Sequence, residues 1–117
     1  PTISFWRCVG MMLEGSVNEA IRELDGLSRR GDMALPVKVT LLYAHQRSKV
    51  VDTEEVARLE ADLPREDDNA TDRARLHTAL VLWHLGEIHQ ARRQTQALLR
   101  LNPQHVQALC LSGQLAL

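Results

Sequence analysis

The feature that most constrains the fold of this chain is a glycine followed five residues later by an alanine, which occurs twice. The copies are "GSVNEA" at residues 15–20 and "GEIHQA" at residues 86–91. Two residues are equivalent when the interval between them is the same as the interval from Gly15 to Gly86. A glycine just past a helix end can adopt the left-handed conformation that satisfies the last helical carbonyls. A small residue at the start of the next helix lets two helices cross closely. The pair therefore indicates a repeated turn between two antiparallel helices.

Apolar residues follow helical spacing along nearly the whole chain. Phe5, Cys8, Val9 and Met12 occupy positions i, i+3, i+4 and i+7 of one helix face, and similar stripes follow at intervals. No strand-like alternation persists. The stripes are separated at Gly15, Gly31, Gly86 and Pro103. This pattern predicts seven helices of about 10–16 residues, joined by short loops.

Three polar segments carry further predictions about helix boundaries. Asp52 or Thr53, followed by two glutamates, is typical of a helix start. Asn102 followed by Pro103 predicts an N-cap and a first-turn proline. The polar segment "PREDDNATD", residues 64–72, predicts a connecting loop.

The repeat length predicts the architecture. A two-helix unit of about 34 residues is the tetratricopeptide pattern, and the interval between Gly15 and Gly86 corresponds to one unit of that length and one slightly longer unit. We predict one all-α segment, a right-handed tetratricopeptide-repeat solenoid of about three repeats plus one extra helix. Its repeats cover residues 1–34, 35–71 and 72–105, and a fourth begins at 106–117. The residues that define the repeats are Gly15, Ala20, Ala79, Gly86, Ala91, Pro103 and Gly113.

Composition excludes several classes of function. The formal net charge is −1, so the chain has no general attraction for nucleic acid. It lacks an apolar run of about 20 residues, so we expect no direct membrane insertion. Because the sequence begins at Pro1 and ends in the apolar run "CLSGQLAL", we expect a segment of a longer protein.

The sequence contains no recognisable motif for disulfide, metal or phosphate binding. The two cysteines, Cys8 and Cys110, are too far apart in sequence for a zinc motif or a disulfide framework. His77 and His84 lie seven residues apart without a carboxylate at ligand spacing, and no H-E-x-x-H motif or phosphate-binding glycine loop occurs. We therefore expect no metal, no cofactor and no enzymatic activity in this segment. An enzyme whose catalytic domain lies elsewhere in a longer chain remains an alternative.

One set of apolar residues indicates binding. In the tetratricopeptide frame, the first helix of each repeat lines the concave face. The predicted stripe on that face consists of Phe5, Val9, Met12, Val39, Tyr43, Leu76, Leu80 and Trp83. If exposed, such a stripe accepts an amphipathic helix from the same chain or from another subunit. The alternative is that these residues form ordinary core.

The segments "FWRCVGMMLEGSVNEAIREL", "LLYAHQRS" and "LHTALVLWHLGEIHQAR" resemble the N-terminal repeats of the tetratricopeptide repeat protein 21 family. The resemblance extends from about Phe5 to about Leu117, and "LYAH" and "LWHLG" are its most specific parts. This family is the large all-repeat subunit of intraflagellar transport complex A. The acidic stretch between residues 50 and 72 is less similar to it.

The resemblance implies a non-catalytic scaffold. It implies partners among the WD-repeat and tetratricopeptide-repeat subunits of complex A, the complex B train and adaptors for ciliary membrane cargo. The implied location is the cytoplasmic side of cilia or flagella, including the basal body, in retrograde transport and cargo entry. The alternative is a peptide-binding co-chaperone module, which uses Lys and Asn on first helices to clamp an acidic tail. Phe5 and Val9 occupy the corresponding positions and cannot hold a carboxylate.

Overall fold

The computed structural model describes residues 2–27, 33–48 and 51–115, and within these ranges the chain is all-α. The described part contains seven helices and no strand, which confirms the predicted all-α helical-repeat fold. The helices are α1 Thr2–Leu13, α2 Val17–Leu27, α3 Ala34–Arg47, α4 Thr53–Asp68, α5 Asp72–His84, α6 Ile88–Leu101 and α7 Val106–Leu115. Their lengths run from 10 to 16 residues, as expected from the sequence. The predicted break at Gly31 lies outside the described residues.

The chain forms two compact units, residues 1–70 and residues 71–117. In the first unit α1 packs on α2, α2 on α3 and α3 on α4, and α1 also contacts α3. In the second unit α5 packs on α6, α6 on α7, and α5 contacts α7. Each unit therefore contains three helices with the same pattern of contacts, and the first unit also contains α4.

Each unit has an apolar core drawn from facing helix stripes. In the first unit Phe5 from α1, Leu24 from α2 and Leu59 from α4 are almost completely buried. In the second unit Val81 from α5 and Leu98 from α6 are completely buried. Full burial of one such side chain stabilises a fold by roughly 1.5–3 kcal/mol relative to leaving it exposed. Each of these residues belongs to the apolar face of its own helix, and these faces pack against one another within each unit.

Side-chain caps fix the starts of α4 and α5. The Asp52 carboxylate accepts a hydrogen bond of 3.1 Å from the backbone N–H of Glu55, which confirms the predicted start of α4. The Thr71 hydroxyl accepts one of 3.1 Å from the N–H of Ala74 at the start of α5. Each cap satisfies one of the donors that an α-helix leaves without an internal partner.

The prediction that Asn102 is the N-cap of α7 was wrong. Asn102 ends α6, where its N–H donates to the carbonyl of Leu98 over 2.8 Å. Pro103 lies in a turn, and α7 begins only at Val106. The side chain of His105 caps that helix, because its Nδ1 accepts a hydrogen bond of 3.2 Å from the N–H of Ala108.

The loop predicted at residues 64–72 is confined to residues 69–71, and the prediction was wrong for residues 64–68 and 72, which are helical. α4 continues through Pro64 to Asp68, and Asn69 closes it by donating from Nδ2 to the carbonyl of Arg65 over 3.0 Å. The acidic residues on either side of Pro64 hold the helix against α3. Asp62 and Glu66 lie one helical turn apart, and both carboxylates contact Lys38. Tertiary contacts thus outweigh the local cost of an interior proline.

Candidate interaction surfaces

The turn between α1 and α2 is held by Gly15. Its φ is +101°, in the left-handed region. The N–H of Gly15 donates to the carbonyl of Met12 over 3.2 Å, and the N–H of Ser16 donates to Met11 over 2.9 Å. This hydrogen-bond pair is the Schellman motif, which satisfies the last carbonyls of a helix.

The turn between α5 and α6 has the same geometry. The φ of Gly86 is +82°. Its N–H donates to the carbonyl of Trp83 over 3.0 Å, and the N–H of Glu87 donates to Leu82 over 2.8 Å. Every donor and acceptor occupies the position equivalent to its counterpart in the first turn. The two helix pairs therefore share one backbone design.

The small residues that follow the two turns are completely buried. Ala20 and Ala91 both have no exposed surface. Their N–H groups donate to the carbonyls of Ser16 and Glu87 over 3.1 and 3.0 Å, so each lies in the first turn of its helix. A larger side chain at either position has no space without movement of the neighbouring helix.

The other repeat-defining residues differ in their surroundings. Ala79 in α5 is buried. Pro103 is exposed in the turn after α6, and Gly113 is exposed in α7. A Cβ atom on Gly113 meets no other atom within 4 Å, so the described packing does not require a glycine there.

Five of the eight residues of the predicted stripe lie in the core. They are Phe5, Val9, Met12, Val39 and Leu76, and none exposes more than 8% of its surface. Packing inside the chain is the role that the structure shows for these five, as the core interpretation expects. A binding role for the stripe as a whole stays a prediction.

The other three stripe residues, Tyr43, Leu80 and Trp83, are half-buried and offer part of their surface. Leu80 and Trp83 are the equivalents of the buried Val9 and Met12, so these positions are more open in the second unit. The Trp83 ring also lies beside His84, with ring centroids 5.5 Å apart. Tyr43 is thus the part-exposed residue of the stripe in the first unit, and Leu80 and Trp83 are those in the second.

A polar contact joins α1 to α2. Arg7 donates from Nη2 to Oε2 of Glu23 over 2.8 Å, and the Cys8 thiol donates to the same oxygen over 3.6 Å. Burial, together with the nearby Glu23 carboxylate, raises the pKa of Cys8 to about 11. The hydrogen bond from Arg7 lowers the pKa of Glu23. Cys8 is thus a buried neutral thiol of the core at ordinary pH, with low reactivity.

In the second unit a hydrogen bond from an arginine to an amide joins α5 to α6. Arg75 is buried in α5 and donates from Nη1 to Oε1 of Gln94 over 3.0 Å. Gln94 is the equivalent of Glu23 in the second helix pair. A further arginine, Arg92, donates from Nε and Nη2 to the carbonyl of Leu115 over 3.2 and 2.6 Å, at the last turn of α7. A cation at that end is favoured by the helix dipole.

Sequence reasoning missed the polar contact between α3 and α4. Lys38 donates from Nζ to Glu66 Oε1 over 2.9 Å and lies 3.5 Å from Asp62 Oδ2. The Lys38 side chain is only 13% exposed, so these charges are shielded from water. The i, i+4 spacing of the two acids was the available signal, but their position around Pro64 made a solvated loop the simpler interpretation. The contact joins two helices and does not create a reactive site.

Metal clusters and membrane-spanning helices are absent from the part of the chain that the structure describes. In residues 2–27, 33–48 and 51–115, no three histidine, cysteine or acidic side chains come together as a metal site. No helix in the same ranges combines the length and the apolar character needed to cross a membrane. The surfaces described above are those of helices and of the turns between them.

Comparison with known proteins places the chain among helical-repeat proteins. The family model described as the tetratricopeptide repeat protein 21 N-terminal ARM repeat matches residues 1–117. The chain is 32% identical over 117 residues to tetratricopeptide repeat protein 21B of Xenopus laevis, covering all of this chain and 9% of that protein. It is 28% identical over 102 residues to the human 21B protein, covering 87% of this chain and 8% of that protein.

The related 21A proteins match as well. Mouse tetratricopeptide repeat protein 21A is 29% identical over 113 residues, covering 97% of this chain and 9% of that protein. The chain thus spans about a tenth of the length of the curated relatives that it matches. From the family model, which matches every residue, and from these relatives, we conclude that the chain belongs to the tetratricopeptide repeat protein 21 family and corresponds to its N-terminal region.

Proposed function

We propose that this chain is a non-catalytic scaffold segment of intraflagellar transport complex A, in which it mediates assembly between proteins. The observation that carries the proposal is the match of all 117 residues to the N-terminal region of the tetratricopeptide repeat protein 21 family. The described structure supports it, because helix pairs stacked around small apolar cores present extended side-chain surfaces. The proposed action consists of binding and positioning other subunits.

The proposed partners are the WD-repeat and tetratricopeptide-repeat subunits of complex A, with the complex B train and membrane cargo adaptors as further contacts. The proposed location is the cytoplasmic side of the cilium or flagellum, including the basal body. The proposed process is retrograde transport together with ciliary entry of membrane cargo. These proposals come from the family and not from the geometry of the chain.

Within the chain, the part-exposed side chains of Tyr43, Leu80 and Trp83 are the proposed apolar contacts of the first helices. An aromatic side chain with one open face is a common anchor in protein interfaces. Within the second unit, Leu80 and Trp83 on α5 together fit one apolar face of an amphipathic helix.

A co-chaperone that clamps an acidic peptide tail is the weaker candidate. Its clamp requires cationic or amide side chains on first helices. The corresponding positions hold Phe5 and Val9, which are buried to 0% and 2% exposure. An apolar buried side chain cannot bind a carboxylate, since the charge would lose its hydration without a partner.

The proposal can be tested by tagging the full-length parent chain in a ciliated cell, purifying it and identifying what co-elutes. We expect the WD-repeat subunits of complex A. Recovery of chaperones, or of no specific partner, contradicts the scaffold role and leaves only the repeat fold.

A substitution tests the proposed contact surface in the same assay. Trp83→Ala is expected to reduce co-elution more than it reduces folded protein, as measured by circular dichroism of the purified chain. Trp6→Ala is the matched control, since Trp6 is also half-buried but lies outside the predicted stripe. If both variants lose partner and fold to the same degree, Trp83 is a core residue and not a contact.

A further inference from the structure

The two units of the chain carry opposite charge. Residues 1–70 contain 13 acidic and 9 basic side chains, a formal charge of −4. Residues 71–117 contain 2 acidic and 5 basic side chains, a formal charge of +3, and also four of the five histidines. The near-zero net charge of the whole chain therefore conceals a basic second unit.

The second helices of the two pairs show where this difference arises. α2 carries acidic side chains at Glu19, Glu23 and Asp25. The equivalent residues of α6 are Gln90, Gln94 and Gln96. Each acid of α2 is thus replaced by an amide, whereas Arg22 of α2 is matched by another arginine, Arg93. The replacement removes the negative charge of the face.

The outward face of α6 combines two of these glutamines, Gln90 and Gln96, with cations. The exposed residues of that face are His89, Gln90, Arg92, Arg93, Gln96 and Arg100. The helix from Ile88 to Leu101 contains no carboxylate. Among the described residues neither Arg93 nor Arg100 forms an ion pair, although Arg7, Lys38, Arg58 and Arg65 all do so elsewhere in the same ranges.

The spacing of these cations matches helical geometry. Arg93 and Arg100 are seven residues apart, so they lie two turns apart, roughly 10 Å along the helix axis. A groove of about 360 Å³ beside α6 is lined in part by Arg92, Gln96 and Ser112. A guanidinium group binds a carboxylate through two parallel hydrogen bonds, which makes arginine well suited to acidic side chains at fixed spacing.

We propose that this basic face of α6 docks an acidic segment of a partner protein, with carboxylates about two helical turns apart. Charge complementarity identifies the partner, because a face of exposed arginines and amides without acids attracts and orients anionic groups. A lipid surface fits less well. Ala91 and Leu98, on the apolar side of α6, are completely buried and cannot insert into a bilayer interface. The proposal does not depend on the assignment to complex A.

The test uses the full-length protein and a fluorescein-labelled helical peptide with glutamates at i and i+7. Binding is measured by fluorescence anisotropy over a range of salt concentrations. We expect saturable binding that weakens as salt increases. Replacing both arginines, Arg93→Gln and Arg100→Gln, is expected to weaken it about five- to tenfold and to flatten the salt dependence. Glutamine already occurs on this face, so circular dichroism should show an unchanged fold.

Two control variants distinguish binding by this face of α6 from a general effect of the net charge. Arg22→Gln removes the arginine equivalent to Arg93, but from a face that also carries Glu19 and Asp25. It should leave the affinity unchanged. The double variant Arg93→Lys, Arg100→Lys keeps the charge but loses the paired N–H groups with which a guanidinium binds a carboxylate. It should bind the peptide with intermediate affinity.

Three outcomes overturn the proposal. One is equal binding by the wild-type protein and the Arg93→Gln, Arg100→Gln variant, and another is equal binding of a peptide in which glutamine replaces the glutamates. The third is preferential binding of phosphatidylserine vesicles, or self-association in sedimentation, with no binding of the acidic peptide. The last result would assign the face to a membrane or to a second copy of the chain.

Discussion

The α1–α2 pair and the α5–α6 pair share a backbone but not a surface. Their turns have the same left-handed glycine and the same hydrogen bonds at equivalent positions. Their outward faces differ, since the acids of α2 become glutamines in α6. Their contacts between helices differ as well, because Glu23 pairs with Arg7, whereas its equivalent Gln94 accepts a hydrogen bond from Arg75. The comparison shows that a few small residues specify the helix pair and leave most of the surface free to change.

The cores of the two pairs also differ at one equivalent position. Leu24 is completely buried in α2, whereas the equivalent residue of α6 is Thr95, which is 2% exposed. The Thr95 hydroxyl donates to the carbonyl of Ala91 over 2.8 Å and so needs no partner from outside its helix. The first pair therefore depends on apolar volume at this position more than the second pair does.

The largest effect is expected from removing that volume. Leu24→Ala should lower the free energy of unfolding by about 2–5 kcal/mol, because it removes buried methyl groups and leaves a cavity. Thr95→Ala should cost only about 1 kcal/mol, since it removes one methyl group and a hydrogen bond within the helix. Urea denaturation followed by circular dichroism measures both. Equal losses would show that the two cores depend on this position alike.

The next effect concerns the small residues at the two turns. Ala20→Leu and Ala91→Leu should each cost about 1–3 kcal/mol, because both positions are completely buried and a larger side chain must displace the facing helix. Ala57→Leu on the exposed side of α4 is the control and should change stability by less than about 0.5 kcal/mol. If one of the buried alanines tolerates leucine as well as Ala57 does, the two helix crossings are not equivalent.

A smaller effect tests the turns themselves. Gly15→Ala and Gly86→Ala should each cost about 1–2 kcal/mol, because an L-residue is strained at positive φ even where space is open. Gly26→Ala lies inside α2 with no atom near its Cβ position, and should instead raise stability by up to about 1 kcal/mol. Thermal denaturation of the three variants measures these effects. A stabilising effect at either turn would contradict the left-handed assignment there.

The smallest expected effect is a difference between the two units in how acid changes their stability. Burial, and to a lesser degree the nearby Arg73, lowers the pKa of His77 below its ordinary value of 6.5. The folded state then binds fewer protons than the unfolded state, so stability is present above pH 6.5 and is lost as the pH falls toward the lowered pKa. The pKa of Glu23 is also lowered, and its contribution disappears only in more acidic solution, below about 4.5.

Denaturation at pH 7 and pH 5 measures this difference. His77→Gln should remove part of the loss of stability between these pH values, whereas Glu23→Gln should not. The opposite result, a change caused by Glu23→Gln alone, would show that the first unit carries the acid sensitivity in this range.

Much of the fold followed from the sequence because its determinants are local. Gly15 and Gly86 could be assigned to turns since glycine is favoured where φ is positive. The start of α4 could be assigned to Asp52 or Thr53 because both are N-cap residue types and acidic residues follow them. These signals depend on neighbours within a few residues and need no knowledge of the packing.

The errors came from contacts between helices and from the geometry of one turn. Pro64 suggested a loop, but the pairing of Asp62 and Glu66 with Lys38 keeps α4 helical through it. Asn102 has the side chain of an N-cap, but the turn at Pro103 gives that role to His105. Neither outcome is encoded in the composition of the segment itself.

The candidate surface was the least predictable part. An apolar residue on a helix looks the same in sequence whether a neighbouring helix or a separate protein covers it. Met12 and Trp83 occupy equivalent positions, yet Met12 is 2% exposed and Trp83 is half-buried. Only the tertiary structure distinguishes a covered position from an open one. Two of the three part-exposed residues of the predicted stripe, Leu80 and Trp83, lie in the second unit.

The packing of each helix mainly against its neighbours in sequence has a consequence for the order of folding. α1 finds its partner in α2, the next helix along the chain, which ends at Leu27. Contacts between segments so near in sequence form with little loss of chain entropy, so they form fast. A helix pair of this kind can assemble soon after it leaves the ribosome, while later residues are still being added. Within the first unit, α3 and then α4 would each add to a template that is already folded.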